Sequence, residues 1–437
     1  MSFEAIEILT TGKCPLNCEY CYIPKTKEMD EIHEDIAKKI KSGEFLKDFK
    51  KISNRKNLKF LSFWGTEPGL TLPLLEEKLD EIVDLLPNLE GIGFSTSTIS
   101  AVDSIISFAE ALDKRAEELT LEVQISLDGH ELIVDQNRFK GAAKKIPENF
   151  FTLIDSLQDI SNIKVEFKWK PTISIENIAV MNERPDEIDN YFNYFKNLNR
   201  KFDKLNNNKR VTLRKGSIGP TLAVPGDYSS EDGKEFGLFL KKLHKRGRST
   251  YTGRLKKIFD YGDEIWKKKR MFTCSGGDSQ IGLEDKVHMC HRSFYMNDDR
   301  YLKGVKKSNK DNWDETLMDR GFTQLIKDWY TVSVDDDYEK KRFEYVMRGY
   351  HDFWKLSLAY TYSMTKELAL VDQVEEEFLK NEEYLNLFCL FINTALSCPM
   401  ENLLNTGSIH LTPISLIRMF GNGAFREILN DLEKNVS

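Results

Sequence analysis

The stretch CPLNCEYCY, residues 14–22, places three cysteines, Cys14, Cys18 and Cys21, within eight residues. It follows directly on residues 5–10, AIEILT, whose apolar pattern is typical of a β-strand. A 4Fe–4S cluster is usually held by four cysteine thiolates, so a local set of three leaves one iron without a protein ligand. An open position on a metal is where a substrate or cofactor binds, whereas a closed ligand set is structural. The spacing therefore predicts a reactive iron–sulfur cluster on the loop after the first strand.

Two other readings of these cysteines stay open from the sequence alone. Zinc more naturally uses a C-x2-C pair together with a second pair of cysteines or histidines at a distance. Three reduced cysteines can also stand close together without sharing a metal. The chain has seven cysteines in all, and in a cytosolic protein such residues favour metal binding or catalysis over disulfides.

Strand patterns alternate with helix patterns over the first half of the chain. Further strands are predicted at 58–64, 89–95, 119–125 and 163–171, and the helices between them include 101–118 and 147–156. This alternation predicts βα units and a parallel sheet, in which ligands bind at the carboxyl ends of the strands. We therefore predict an α/β fold in which residues 1–225 form a partial (βα)6 barrel of the TIM type.

Two of the predicted strands run into unusual tetrapeptides. The first, GTEP at residues 65–68, combines a backbone turn with a carboxylate, and both offer acceptors that suit an ammonium group. The second, SLDG at residues 126–129, follows the fourth strand. Each tetrapeptide alone is also compatible with an ordinary turn, because Gly and Asp-Gly are common turn residues. Their positions at strand ends make both of them candidates for a binding site.

Together these stretches resemble the radical S-adenosylmethionine (SAM) enzymes. The signature of that superfamily is C-x3-C-x2-C on the loop after the first strand, with an aromatic residue before the last cysteine, as Tyr20 is here. The resemblance implies that Cys14, Cys18 and Cys21 hold a 4Fe–4S cluster whose open iron binds the amino and carboxylate groups of SAM. One electron would then cleave SAM to a 5′-deoxyadenosyl radical, which abstracts a hydrogen atom from the substrate.

The same resemblance implies a SAM-binding role for the GTEP turn. Gly65, Thr66, Glu67 and Pro68 stand where the family has G-G-E-P, and Glu67 with the turn backbone would contact the amino group of SAM. Thr66 departs from the usual second glycine. The turn therefore joins the cysteines as part of one expected site.

The SLDG stretch resembles the S-x-D-G…R element of the peptide-modifying branch of the superfamily, with Arg138 downstream. By resemblance Ser126 would hydrogen-bond the ribose or carboxylate region of SAM, and Asp128 would face the substrate, in a structural or a catalytic role. Arg138 would pair with the SAM carboxylate, for which a fork of guanidinium donors is apt. Gln124, on the fourth strand, is a further candidate if it faces the barrel interior.

The remaining cysteines, Cys274, Cys290, Cys389 and Cys398, are enough to close a second cluster. Cys274 and Cys290 resemble the opening of the SPASM/Twitch auxiliary-cluster domain, although Asp285 stands where that pattern has glycine. The dense cysteine block that normally follows is missing, so the region is truncated. One auxiliary 4Fe–4S cluster, or a set in which at least two cysteines belong to the core, remain as alternatives. Cys389 is the most typical core cysteine, because apolar residues flank it.

The 437 residues predict two or three domains. After the barrel we expect a linker and auxiliary-cluster region at 226–310 and a helical C-terminal region at 311–437. Within the last region the clearest helical patterns are 343–368, 374–396 and 413–433.

Charge and hydropathy narrow the function classes. The net charge of −7 argues against general affinity for nucleic acid or for anionic membranes. Basic residues concentrate in 201–215 and 241–248, where a solvated face and a patch for an acidic substrate both remain open. No signal sequence is visible, and no apolar run approaches the ~20 residues of a membrane span. We expect a cytoplasmic protein.

The predicted function is that of a radical SAM oxidoreductase acting on a peptide or protein side chain. The product would be a crosslink, an epimerised residue or an oxidised residue, as in the maturation of peptides or sulfatases. The resemblance implies an electron donor such as flavodoxin or ferredoxin. Because the cluster motif begins about 14 residues into the chain, recognition of a leader peptide would need a separate protein, the basic stretch or the C-terminal helices. The alternatives are a small-molecule substrate (a sugar, nucleotide or amine) and a non-catalytic iron–sulfur or zinc protein.

Overall fold

The computed structural model describes residues 5–21, 23, 25–51, 55–184, 186–216, 218–219, 221–223, 230–246, 279–281, 286–288, 300, 331–333, 347–393 and 411–436. Cys274, Cys290 and Cys398 lie outside these residues. The domain limits placed at 225 and 310 therefore stay predictions.

Six parallel strands lie side by side in chain order and form the centre of the molecule. They are β1 (Ala5–Thr11), β2 (Phe60–Gly65), β3 (Gly91–Thr96), β4 (Thr120–Ile125), β5 (Lys164–Trp169) and, after the short β6 (Thr172–Ile173), β7 (Val211–Arg214). Strand β6 pairs with β8 (Thr221–Leu222) in a separate two-stranded ribbon. The strand order confirms the predicted parallel βα arrangement.

The two faces of this sheet differ sharply in polarity. One row of paired residues crosses all six strands and is buried throughout: Ile8, Phe63, Phe94, Val123, Phe167 and Leu213. This face packs against the helices, and its burial accounts for most of the hydrophobic stabilisation of the sheet. Because side chains alternate along a strand, the residues between them point to the opposite face, which is largely polar in β4, β5 and β7.

Three short strands extend the sheet beyond β1. Strand β9 (Ser279–Ile281) pairs parallel with β1, and β10 (Lys286–His288) and β11 (Thr331–Ser333) continue antiparallel from it. Part of the segment predicted as an auxiliary-cluster region thus belongs to the same nine-stranded sheet as the barrel strands.

Nine helices of the first half follow the strands. They are α1 (Lys27–Ser42), α2 (Glu44–Lys51), α3 (Leu72–Glu76), α4 (Leu79–Leu85), α5 (Val102–Arg115), α6 (Glu131–Asn137), α7 (Ala142–Ser156), α8 (Ile175–Glu183) and α9 (Glu187–Leu205) within the described residues.

Helix α7 begins five residues before the predicted start at Pro147. Two features explain the difference. The Asp135 carboxylate accepts the backbone N–H of Ala143 at 2.8 Å and so caps the extra turn. Pro147 has no N–H to donate to the Ala143 carbonyl four residues back, and the Tyr194 hydroxyl donates to that carbonyl instead, at 2.7 Å.

Apart from the three short strands β9 to β11, the described elements of the second half are helices. They are α10 (Ser230–Lys245), α11 (Met347–Leu370), α12 (Glu377–Lys380), α13 (Glu382–Phe391), α14 (Leu411–Phe420) and α15 (Ala424–Val436). The helix predicted at 374–396 is broken in two because Asn381 caps α13, accepting the N–H of Tyr384 at 3.0 Å. Helix α10 packs on α8 as well as on α14 and α15, and Phe236 meets Phe420 edge to face. The fold is therefore α/β, with a partial (βα)6 barrel followed by a mostly helical C-terminal part.

A search of the described helices for one long and apolar enough to cross a bilayer found none.

Candidate functional site

The predicted site residues of the first half gather at the carboxyl ends of the central strands. Cys14, Cys18 and Cys21 lie on the loop between β1 and α1, and all three are free and half-buried. The loop is compact: the Cys21 N–H donates to the Cys18 carbonyl at 3.1 Å, and the Leu16 N–H donates to Cys14 Sγ at 3.4 Å. The three thiols are therefore presented by a short, internally hydrogen-bonded loop.

Burial and the neighbouring donors and cations act in opposite directions on the pKa values of Cys14 and Cys18. Burial raises the pKa of Cys18 to about 11, while the Arg138 guanidinium favours its thiolate. Burial likewise raises the pKa of Cys14, while Lys25 and the Leu16 amide favour the charged form. Cations and amide donors thus stand beside the two thiols and would stabilise their deprotonated, metal-binding forms.

The GTEP turn is joined to the start of the cysteine loop. The Thr66 N–H donates to the Thr11 carbonyl at 3.3 Å, and the Thr66 hydroxyl donates to the Lys13 carbonyl, directly before Cys14. Gly65 has φ +141°, and a Cβ there would lie 2.2 Å from the Thr11 oxygen, so this position requires glycine. Thr66, which departs from the family pattern, here uses its side chain to hold the cysteine loop.

Glu67 is almost wholly buried, with 1% of its surface exposed. Its Oε2 accepts two hydrogen bonds from Ser97, one from the backbone N–H at 2.8 Å and one from the hydroxyl at 2.7 Å. Its Oε1 is buried and has no hydrogen-bond partner among the described residues. A buried carboxylate oxygen without a partner is costly, so the site lacks one donor that a cationic ligand would supply.

Ser97 and its support are functional residues that the sequence reasoning missed. Ser97 follows β3, whose end was not singled out although residues 95–98 read STST. The next residue, Thr98, is fully buried with φ +65°, and Asn149 donates to its carbonyl at 2.8 Å. This backbone conformation is unfavourable for threonine and is held in place by α7. The run of polar residues at the end of β3 is the sequence signal that could have identified Ser97.

Asp128 is the centre of a buried network. Its side chain is fully buried and forms a bidentate ion pair with Arg138, at 2.9 Å from Nε and 2.8 Å from Nη2. The Tyr20 hydroxyl lies 2.9 and 3.0 Å from its two oxygens, and the Thr172 N–H donates to it at 3.2 Å. Asn137 completes the set at 3.4 Å. One carboxylate thus joins the cysteine loop, the end of α6 and strand β6.

Arg138 is occupied by this network and is not displayed as a free fork. Only 7% of its side chain is exposed, and its Nη2 also donates to the Tyr20 hydroxyl. Its Nη1 points to Cys18 Sγ at 3.7 Å. Burial disfavours the charged guanidinium, but the Asp128 carboxylate outweighs it and holds the pKa of Arg138 above its usual value. Arg138 has five N–H donors. Four of them face Asp128, Tyr20 or Cys18 among the described residues, which leaves one hydrogen on Nη1 for a ligand.

Ser126 and Gln124 lie at and below the rim, on the polar face of the sheet. Both are half-buried, whereas their neighbours Leu121, Val123 and Ile125 are fully buried on the helix side. The Ser126 N–H donates to the Thr96 carbonyl at 2.8 Å, which fixes the strand end. The structure therefore places Gln124 on the inward face, as its predicted role requires.

The inward face carries two layers of polar residues. Glu122 and Glu166 stand in one row of the strand pairing, and Lys168 and Arg214 stand in the next row toward the rim. Lys168 pairs with Glu122, and Arg214 pairs with Glu166. A packed TIM-type barrel is filled by apolar layers at these positions, so this barrel interior is suited to a polar ligand.

Cys389 is distant from the rim residues in the sequence, and its surroundings are different. It is 3% exposed on α13, among the apolar residues of the helical core, and burial raises its pKa to about 12. The Thr365 side chain hydrogen-bonds with it. Its three predicted partners in an auxiliary cluster lie outside the described residues, so that ligand set stays a prediction.

Among the described residues, no three Cys, His, Asp or Glu side chains converge on a single-ion site.

Comparison with known proteins gives a consistent but distant picture. No family model matches the chain. An uncharacterised protein of Methanocaldococcus jannaschii is 24% identical over 259 residues, which make up 58% of this chain and 80% of that protein.

Structures of anSMEcpe are among the solved structures that match the chain. Native anSMEcpe with bound AdoMet has a TM-score of 0.50 at 14% identity and covers 99% of this chain and 100% of its own. Native anSMEcpe with bound AdoMet and Kp18Cys peptide has a TM-score of 0.38 at 17% identity and covers 79% and 97%. The first likeness shows a shared fold.

Proposed function

We propose that this protein is a radical SAM enzyme, with its active site at the carboxyl ends of β1 to β4. The observation that carries the proposal is one rim on which three half-buried cysteines stand beside the unpaired, buried Oε1 of Glu67. The first group suits an iron–sulfur cluster with an open iron, and the second suits the ammonium of an amino acid. SAM would use both groups, the open iron and the acceptor for its ammonium group.

The residues fit the absent groups. Cys14, Cys18 and Cys21 would hold the 4Fe–4S cluster, and Glu67 would accept a charge-assisted hydrogen bond from the SAM amino group. When bound, the cluster and SAM would supply an electron and a carbon-centred radical that takes a hydrogen atom from the substrate. Tyr20, Gly65, Thr66 and Pro68 shape the site through backbone and loop contacts.

The protein residues have four tasks in this scheme. The Leu16 amide and the Arg138 guanidinium favour the thiolate forms of Cys14 and Cys18. Ser97 fixes the orientation of Glu67 through Oε2, which leaves Oε1 to accept a hydrogen bond from the ligand. The remaining Nη1 hydrogen of Arg138 is available to a carboxylate. Burial of these groups keeps water from a reactive intermediate.

The substrate that we propose is a peptide or protein side chain, modified by crosslinking, epimerisation or oxidation. Support comes from the S-x-D-G…R resemblance around Ser126 and Asp128, and from the polar inward face below the rim, which offers donors and acceptors to a peptide backbone. An electron donor such as flavodoxin or ferredoxin and a separate leader-recognition protein belong to the same proposal.

Part of the basic stretch is paired within the chain. Among the described residues, Arg210 pairs with Glu118 at 3.1 Å, and Lys215 pairs with Asp203 at 2.6 Å. These two side chains are therefore less available to an acidic leader peptide than unpaired cations would be.

A small polar molecule is the second candidate substrate. The observation in its favour is again the inward face, where Lys168 and Arg214 are held by Glu122 and Glu166 at the depth of the strands. A sugar, nucleotide or amine would find donors and acceptors on this polar wall as a peptide side chain would. Radical formation that requires a peptide would separate the two candidates.

The decisive experiment is anaerobic reconstitution followed by incubation with SAM and dithionite. We expect the formation of 5′-deoxyadenosine and a broad absorption band of the kind that thiolate-bound iron–sulfur clusters show. A count of about four irons per chain would indicate one cluster, and about eight would indicate a second, auxiliary cluster. Reconstituted protein that binds iron yet makes no 5′-deoxyadenosine would refute the proposed chemistry.

A further inference from the structure

The network around Asp128 has a consequence for the cysteine loop itself. The loop lies at the rim and is half-buried, yet its Tyr20 hydroxyl reaches a carboxylate that is fully buried. The Glu19 N–H donates to the Asn137 carbonyl at 3.0 Å, next to Arg138 in the chain. The loop is thus attached at two separate points, to Asp128 after β4 and to Asn137 at the C-terminal end of α6.

Arg138 connects the two attachments. Its Nε and Nη2 donate hydrogen bonds to the Asp128 carboxylate, and Nη2 also donates to the Tyr20 hydroxyl. Its Nη1 lies 3.7 Å from Cys18 Sγ. The Arg138 Cζ lies 5.6 Å from the centre of the Tyr20 ring, in the range of a cation–π contact. A rigid guanidinium plane thus touches a buried acid, the loop tyrosine and a thiol at the same time.

We infer that Asp128 and Arg138 form a latch that positions the cysteine loop and sets the charge beside Cys18. In this role Asp128 is a positioning residue, because it acts through Tyr20 and Arg138. The inference deepens the proposed function and rests on it where the cluster is concerned. The positional part does not depend on it, because the contacts exist in the chain alone.

The latch has two separable effects. The first is geometric: four contacts hold the loop before any ligand arrives, so that the thiols are preorganised. The second is electrostatic, because a positive group beside a cluster thiolate stabilises the reduced, more negative cluster. Asp128 compensates the Arg138 charge from the far side. Removing one member or the other should therefore move the cluster potential in opposite directions.

The geometric effect is tested by amide hydrogen exchange in cluster-free protein. Asp128→Asn, and the milder Tyr20→Phe, should speed exchange of the peptide spanning residues 14–21 by roughly tenfold, the effect of losing about one buried hydrogen bond. The matched control is Glu118→Gln, which removes a carboxylate paired to Arg210 at the opposite ends of the strands. It should leave exchange of the loop unchanged.

The electrostatic effect is tested by redox titration of the reconstituted protein, monitored by electron paramagnetic resonance. Asp128→Asn should shift the cluster potential to more positive values and Arg138→Gln to more negative values. Arg138→Lys keeps the charge but loses the fork, so it should restore the potential while leaving loop exchange fast.

Each of the two experiments can refute the effect that it tests. Loop exchange like that of the wild type in both Asp128→Asn and Tyr20→Phe would refute the latch. Potentials that shift in the same direction, or not at all, would refute the charge role. If the wild-type chain binds no cluster, the proposed function fails, yet the exchange experiment still decides the latch.

Discussion

Cys18 and Cys389 carry the same thiol in two opposite settings. Cys18 is half-buried at the rim of the sheet, beside a cation, within a loop that joins several elements. Cys389 is 3% exposed inside a helical core, where the Thr365 side chain hydrogen-bonds with it. Burial raises both pKa values, to about 11 and about 12, but only Cys18 has a guanidinium that opposes the shift. The two thiols thus differ in their charged neighbours as well as in their burial.

The polar groups around the two cysteines differ in the same way. In the helical core, Asn393 accepts from Ser357 at 2.6 Å and donates to Thr361 at 2.9 Å and to the Cys389 carbonyl at 2.8 Å. That ladder satisfies its members. At the rim, Glu67 keeps a buried oxygen without a partner among the described residues. A satisfied network stabilises a fold, whereas a buried group without a partner needs an explanation, which for Glu67 a cationic ligand would supply.

The strongest test of this contrast is Cys18→Ala. Loss of one of three local thiolates should leave no stable cluster, and the reconstituted variant should form no measurable 5′-deoxyadenosine. High-performance liquid chromatography of the SAM reaction measures this. A Cys18→Ala variant that still cleaved SAM would remove the rim from the proposed active site.

The next largest effect is expected from Glu67→Gln. The change removes the negative charge that would bind the SAM ammonium, and charge-assisted hydrogen bonds contribute about 1.5–3 kcal/mol. The dissociation constant for SAM should therefore rise by roughly 10- to 100-fold in equilibrium binding measurements. Glu118→Gln, at the other ends of the strands, serves as the control and should bind SAM as the wild type does. Equal affinities in both variants would exclude Glu67 from the site.

Asn393→Ala tests the other side of the comparison. It leaves the Ser357 and Thr361 hydroxyls short of a buried partner, so it should lower the free energy of unfolding by about 2 kcal/mol. Denaturant titration measures the loss. The exposed Asn88, which donates to the Lys56 carbonyl, provides the control, because its replacement by Ala should cost no more than about 0.5 kcal/mol. SAM cleavage by Asn393→Ala should stay at the wild-type rate below the unfolding transition.

The smallest effect is expected from Cys389→Ala. Truncation of a small buried side chain should cost about 1 kcal/mol of stability. If Cys389 is a core residue, the iron content and the rate of SAM cleavage of this variant match those of the wild type. A drop from about eight irons to about four would instead make Cys389 a ligand of an auxiliary cluster and would erase the contrast with Cys18.

Much of the barrel could be predicted from periodicity. The strands beginning at Phe60, Gly91, Thr120 and Lys164 all lie within or next to the predicted stretches. Strand β7 was not singled out, because four residues between basic neighbours give too short an alternation. Helix α7 was predicted too short, since a proline usually marks a helix start and the tyrosine that compensates for it lies on a distant helix.

The chemistry that we propose for the rim could be predicted from the sequence by itself, because the C-x3-C-x2-C spacing and the GTEP turn are local patterns that each lie within one short loop. Only the tertiary structure decided what each polar group is bonded to. Asp128, expected to face a substrate, is buried against Arg138 and Tyr20, more than a hundred residues apart from Tyr20 in the chain. Ser97 gained its role by proximity to Glu67. Hydrogen-bond partners depend on distances across strands and loops, and no local pattern encodes those.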